Sequence, residues 1–423
     1  MLKNKDRRRI LLVSHGWPLE KYGGVGLYVQ MLIHEFFQMG HLVFLLTPSE
    51  GKHFAIHMQN CDWGTHISLE QPPISRYSQT WKWPQRDKYI ENIIRKIDPN
   101  IIHLHHLDRL GLCVWEQRLR DMTILYTLHD YASICSRGQL YNPNRKSICN
   151  GPSIHECASC LQMELHHNPA TNFIQNLLPL HKVENLKSLS TQIPNISIFH
   201  RIRIHQRISQ SRRLLHNVFI ISPSFNLQQR FVERGFTKAI YLELPLLRDL
   251  PTEKATRHSK GFLFAGSLIE SKGLDLLLKA FEPFDKHKLT IAGSGPLQNR
   301  QKFYPQYNWL GHVAHDEMLK IMTQHHTIIL PSLWPENAPI VLREAAALGL
   351  QIICTSGGGQ EISKQSIVVD RTMESLRDGI QLVIDKREKQ AKQVTTKMLH
   401  RRQHCEQLIS YYDFCLEQNS SKN

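Results

Sequence analysis

Two carboxylates, Glu336 and Glu344, stand with seven residues between them in the stretch Pro331-Ser-Leu-Trp-Pro-Glu-Asn-Ala-Pro-Ile-Val-Leu-Arg-Glu-Ala-Ala-Ala-Leu-Gly349. The pattern predicts a loop leaving a strand, then a helix. Pro339 sits where an early helical turn tolerates it, and Gly349 sits near the expected helix end. Glu336 then precedes the helix and Glu344 lies inside it. A helix N-terminus attracts phosphate through its free N–H groups and its dipole. Carboxylates cannot bind phosphate, but they accept hydrogen bonds from hydroxyls. One module with both grips suits a sugar nucleotide; the plainer alternative is a buried αβ unit with two surface glutamates.

Cys135, Cys149, Cys157 and Cys160 form a second group with potential chemistry. Cys157 and Cys160 form a C-x-x-C pair, and two more distant thiolates could complete a tetrahedral zinc site. Three readings stay open on this spacing: structural zinc, reduced free cysteines, and an iron–sulfur or redox role. The remaining cysteines (Cys61, Cys113, Cys354, Cys405 and Cys415) are scattered and read as small buried hydrophobes. A third group is the run Arg201, Arg203, Arg207, Arg212 and Arg213. It is either a solvated helix flank or a basic face for anionic lipid or a phosphorylated acceptor.

The elements that must position these groups alternate β and α. Arg9–His15 reads as a strand, followed by a glycine loop at Gly23–Gly26 and a helix from Leu27 to about Met39. His41–Thr47, Ile101–His105, Thr123–Leu128 and Val218–Ser222 read as further strands. A second series holds Gly261–Leu268, Lys288–Gly295, Thr327–Leu330 and Gln351–Thr355. Alternation of this kind implies parallel sheets with crossover helices. The expected architecture is α/β with two Rossmann-like domains. The expected divisions are 1–217, with a cysteine-bearing insert at about 131–217, then 218–384, and a basic helical tail at 385–423 that packs back on the N-terminal domain. Loops after the strands are expected to converge on one interdomain cleft.

At 423 residues the chain has room for two or three domains at roughly 150 residues each. Hydrophobic residues at 41% against 21% charged place it with globular proteins rather than disordered ones. No apolar run approaches the ~20 residues of a membrane span. Ile10–Val13 is too short for a signal-peptide core, which points to a cytoplasmic protein. A formal charge of +15 favours polyanions. Without a basic heptad helix, finger spacing or Gly-aromatic RNA signature, nucleic acid is not expected as a partner, and an anionic membrane surface at the inner face ranks above it.

Taken in order, Gly23-Gly24, Thr127-Leu-His-Asp130, Ser222-Pro-Ser224, Gly266-Ser-Leu-Ile-Glu-Ser-Lys272-Gly273, Ala292-Gly-Ser-Gly-Pro296 and the two-glutamate stretch resemble a retaining glycosyltransferase of family 4, with the GT-B fold. The resemblance runs from Ile10 to about Leu382, and some members carry a similar cysteine-bearing insert after a His-Asp-Tyr like His129-Asp-Tyr131. It implies that Glu336 contacts donor-sugar hydroxyls and Glu344 the nucleotide ribose. Asn337, Ala338, Pro339 and Ile340 would lie near the diphosphate and sugar, and Lys272 would neutralise the diphosphate. Gly24, with Gly23, would let backbone approach the phosphate. Gly295 and Ser267 complete the implied donor set, and His129 would lie beside the transferred sugar. Ser267 departs from the family's usual arginine, which removes one charged bidentate partner from the diphosphate.

The reaction so implied moves a sugar from a nucleoside diphosphate to a hydroxyl with retention. The acceptor would be a saccharide, a lipid-linked saccharide or a small molecule, and no cofactor is required. An alternative is a sugar-nucleotide-binding or scaffold protein of the same fold without catalysis. A third reading, nucleic-acid binding, rests on charge alone.

Overall fold

The computed structural model describes residues 7–17, 23–72, 83–107, 109–111, 114–115, 122–154, 156–157, 160, 194–253, 261–388 and 396–420. The chain divides into two compact units. The first holds residues 1–145, 149–220 and 412–423, and the second holds 146–148 and 221–411.

In the first unit, the apolar run of β1 (Arg9–Val13) is buried from its second residue onward. It pairs in parallel with β2 (Leu42–Glu50) and β5 (Ile101–Leu104). Between β1 and β2, α1 (Gly23–Gln38) buries Tyr28, Val29, Leu32, Ile33 and Phe36 at helical spacing. This helix begins four residues earlier than the sequence predicts. The glycines expected in a preceding loop are its first turn, where their free N–H groups point out of the helix end. β3 (Ala55–Cys61) and β4 (Gly64–Gln71) form a hairpin whose antiparallel strand β3 is mostly exposed. Its polar His57-Met-Gln-Asn60 core has no period-two pattern, so the sequence does not announce it. Then come α2 (Pro84–Ile97), β5 and the fully buried β6 (Thr123–Thr127). Two short strands follow in the chain, β7 (Tyr141–Asn142) and β8 (Ser147–Ile148), the latter counted with the second unit; α3 (Pro194–Asn217) and β9 (Phe219–Ser222), whose last two residues are also counted there, come next. The strand order in this unit is β9-β6-β5-β1-β2-β4-β3.

The second unit opens with α4 (Phe225–Val232) and β10 (Ala239–Tyr241). Its six-stranded parallel sheet is built from β11 (Phe262–Ala265), β12 (Leu289–Ala292), β13 (Asn308–Gly311), β14 (Thr327–Leu330), β15 (Gln351–Thr355) and β16 (Ile367–Val369). They run in the order β13-β12-β11-β14-β15-β16. Alternation along the strands sends Phe262, Phe264, Ile291, Ile329 and Ile353 to one core, with α5 (Leu274–Phe281) and α8 (Met373–Glu388). It sends Leu263, Ala265, Ile328, Leu330 and Ile352 to the other, with α6 (His315–Gln324) and α7 (Ile340–Leu348). A sheet covered on both faces reads as continuous apolar runs, as β11 and β14 do. Truncating Phe264, which is fully buried, would cost about 3–5 kcal/mol.

The predicted tail is one stretch from 385. In the structure α8 runs through 388, and a separate α9 spans Arg401–Ser420. In the second unit, His404 hydrogen-bonds through Nδ1 to the carbonyl of Glu243 at 2.8 Å. In the first, the Tyr412 hydroxyl lies 2.6 Å from His103 Nδ1. Lys389 and Lys392, read as part of the tail's basic character, lie outside the described residues, as does Cys113. No described helix is long and apolar enough to cross a membrane.

Candidate functional site

The loop from Pro331 to Pro339 leaves β14 and is pinned on several sides. Thr355 Oγ1, at the end of β15, donates to the carbonyl of Ser332 at 2.7 Å. The Leu333 amide donates to the carbonyl of Ser271 at 2.8 Å, and the Gly358 amide to the carbonyl of Glu336 at 2.7 Å. These bonds hold the Glu336 side chain, only 9% exposed, against Lys272. The ammonium reaches Glu336 Oε1 at 2.6 Å, and Ser332 Oγ donates to the same oxygen at 2.5 Å. Lys272 Nζ also lies 5.4 Å from the Trp334 ring centre, a cation–π contact.

Lys272 ends a single 3₁₀ turn, Glu270–Lys272, that Gly273 closes at φ 75. A side chain at Gly273 would be strained by that φ and would also meet the Pro331 carbonyl at 2.0 Å. Gly358 is as constrained for a different reason: a Cβ there would lie 1.1 Å from the Asn337 carbonyl oxygen. Gly295, at φ 153, follows β12, and a Cβ there would lie 2.6 Å from the Leu268 carbonyl oxygen. Asn337 is buried and accepts a hydrogen bond from Ser224 Oγ at 3.1 Å, and Ser224 in turn caps α4. Ala338 is half-buried, Pro339 is the N-cap of α7, and Ile340 is its first residue; no side chain caps this helix start. Gly349 ends α7 in the left-handed conformation at φ 88, as its position implies.

Glu344 lies one turn into α7 and is 3% exposed. Its Oε1 is 2.8 Å from Nε2 of His315, the first residue of α6. The neighbouring Arg343 pairs instead with Glu243. Ser267, just past β11, is exposed and brings no charge to the glycine loop.

In the first unit, His129 follows β6 and belongs to a cluster of imidazoles at the carboxyl ends of β1, β5 and β6. His105 Nδ1 is 3.2 Å from His129 Nε2, and Tyr28 lies edge-on to both rings. His15 and His106 pack at 4.3 Å between ring centres, and His106 lies 3.7 Å from Asp130. His103 is held between Tyr412 and Thr127 Oγ1, the latter at 2.7 Å. Burial, then repulsion from neighbouring imidazoles, pushes His15 and His129 down to about 3 and His105 well below its ordinary value. All three are neutral near pH 7, so His129 offers hydrogen bonds there rather than charge. Gly23 and Gly24 are exposed at the start of α1.

The four clustered cysteines are half-buried free thiols. Burial and the neighbouring thiols push Cys157 and Cys160 up to about 11, so all four lie within one another's field. Among the described residues, no group of three or more His, Cys, Asp or Glu is placed to hold a metal ion. In the arginine run, the side chains of Arg201 and Arg203 lie outside the described residues. Arg207 is committed to the Ala132 carbonyl, and Arg212 and Arg213 are exposed.

Sequence reasoning missed His315, Ser332 and the histidines around His129. His103-x-His-His106 at a strand's end was a legible signal for the last of these. Nothing local marks His315, because its partner is 29 positions away in sequence (344 − 315).

Comparison with known proteins places two domains on this frame. Residues 22–150 match glycosyltransferase family 4, and residues 252–397 match the glycosyl transferases group 1 family. Over 117 residues the chain is 34% identical to the phosphatidylinositol N-acetylglucosaminyltransferase gpi3 subunit of Schizosaccharomyces pombe. That match takes in 25% of each chain, so this chain spans a quarter of that relative's length. Among solved structures, sucrose-phosphate synthase from Thermosynechococcus elongatus superposes with a TM-score of 0.61 at 14% identity, covering 98% of both chains. HepE from Anabaena, solved with UDP and glucose, superposes with a TM-score of 0.55 at 12% identity, covering 98% of this chain and 99% of that one. At such identities the structures speak for the fold, which is GT-B. Two stretches of the chain thus resemble glycosyltransferase domains, family 4 and then group 1, on a GT-B fold.

Proposed function

We propose that this chain is a retaining glycosyltransferase that moves a sugar from a nucleoside diphosphate to a hydroxyl acceptor. The observation that carries the reading is the Lys272–Glu336 pair, held at 2.6 Å on a loop whose backbone is fixed on several sides. An ammonium has three N–H donors. One is spent on Glu336, which leaves two for a diphosphate. Glu336 Oε1 takes both hydrogen bonds, from Lys272 and Ser332, and Oε2 is left for a sugar hydroxyl.

As the glycosidic bond breaks, negative charge grows on the β-phosphate. Lys272 and the uncapped start of α7 would stabilise that charge, and so would the amides of the glycine turns. Such preorganised electrostatics is often the largest catalytic contribution. His129, neutral near pH 7, offers hydrogen bonds there and does not act as an acid. Retention follows from a front-face route in which the departing phosphate oxygen takes the acceptor proton. Similar structures hold UDP with glucose and ADP with acarbose, which supports a nucleotide-sugar donor. The products fit surface polysaccharide, glycolipid or glycosylated small-molecule synthesis. Arg212 and Arg213 offer a point of contact for anionic lipid.

Hydrolysis and transfer with UDP-, GDP-, ADP- and dTDP-sugars test this. Turnover that Glu336→Ala and Lys272→Ala each abolish is the expected result. The exposed, uncharged Ser267 favours a second reading, a sugar-nucleotide binder without catalysis. Tight donor binding with no turnover in the wild-type chain would establish that reading instead.

A further inference from the structure

Glu344 is a buried carboxylate with an unusual partner. It is 3% exposed on α7, and removing such a charge from water is costly unless hydrogen bonds replace the lost hydration. Arg343, the adjacent cation in sequence, points to Glu243. The one ion pair of the Glu344 carboxylate among the described residues is the His315 imidazole, with Nε2 at 2.8 Å from Oε1. The contact is close but poorly aligned, and both atoms lack a well-directed hydrogen bond. His315 is 23% exposed, so one side of the ring remains open while the carboxylate behind it is enclosed. It opens α6 shortly after β13, whose last residue, Gly311, accepts from the Gly293 amide at 2.7 Å.

We propose that His315 is a positioning residue for ribose recognition. It holds the Glu344 carboxylate in place, so that the carboxylate can accept from the two hydroxyls of a nucleotide ribose. This rests on the donor reading above, in which Glu344 faces the ribose. A vicinal diol offers two O–H donors, and a carboxylate accepts them best when its plane is fixed beforehand. Without His315 the buried carboxylate would rotate or draw in water, and its preference for a diol over a single hydroxyl would fall. The imidazole does not touch the sugar ring in this scheme; it acts through Glu344.

The test measures affinity for UDP, GDP and ADP, and for the 2′-deoxy and 3′-deoxy forms of whichever binds. It uses the full chain carrying His315→Phe, His315→Gln or His315→Asn. The wild type should prefer the ribose form by about tenfold, the size of one hydrogen bond to a charged group. His315→Phe should bring that ratio to within about threefold of unity, and His315→Gln, which can still donate to Glu344, should restore most of it. His315→Asn keeps a polar group at the helix start but cannot span the gap. It gives the same result as phenylalanine where the latter does not fold. A ratio unchanged in the Phe and Asn variants, or ribose and deoxyribose forms weakened equally, overturns the proposal. Failure of the wild type to bind any of the three diphosphates would instead overturn the donor reading.

Discussion

Replacing Gly358 by alanine is the most direct perturbation of the loop that holds Glu336. The new Cβ would lie 1.1 Å from the Asn337 carbonyl oxygen and 2.2 Å from its carbon. Non-bonded contact needs about 3.2–3.5 Å, so one of the two segments must move by about 2 Å. That displacement breaks the 2.7 Å bond from the Gly358 amide to the Glu336 carbonyl. It also disturbs the 2.6 Å Lys272–Glu336 pair and the 3.1 Å bond from Ser224 to Asn337. A neutral buried hydrogen bond contributes about 1 kcal/mol and one to a charged group about 1.5–3 kcal/mol. A loss of about 3–5 kcal/mol follows, or a melting shift on the order of 6–20 °C for a unit of this size. Gly266→Ala is the control, because a Cβ there meets nothing within 4 Å. Melting of both variants, with and without UDP, GDP and ADP, reads the effect. Gly358→Ala should melt well below Gly266→Ala and lose the nucleotide-dependent shift. If the two variants melt within about 2 °C of each other, the loop is not held as argued.

Other outcomes follow from the same geometry. His15 and His129 titrate near 3 in the folded chain against 6.5 when unfolded, so the unfolded state binds more protons between those values. Stability is therefore full above about pH 6.5 and falls as the pH drops towards 3, by at most about 2 kcal/mol per imidazole at pH 5. Denaturant midpoints at pH 7 and 5 measure this, and His129→Asn should flatten the slope; equal midpoints in the wild type would count against it. Ser267→Arg puts a guanidinium at an exposed position beside the glycine turns and should tighten nucleoside-diphosphate binding about tenfold by titration. No gain would show that another base already serves the diphosphate. Cys157 and Cys160, pushed up to about 11 from 9, should alkylate about a hundredfold more slowly than an ordinary thiol at pH 8, as read by mass spectrometry. Rapid labelling of either would refute that burial.

The sequence alone determined the β/α alternation, because apolar runs such as Phe262–Ala265 and Thr327–Leu330 are buried on both faces and carry their own signal. It also located the α7 start and stop, since Pro339 and Gly349 act through local backbone preferences. It could not show β3, whose polar residues join the sheet only through pairing with β4. Nor could it show where the glycine segment at 23–26 becomes helix. The pairings that define the candidate site were decided by tertiary structure: Lys272 with Glu336 across 64 positions, His315 with Glu344, and His105 with His129. Each depends on how parallel strands bring distant loops to the same sheet edge. Side-chain geometry between residues far apart in the chain leaves no periodicity for a sequence to display.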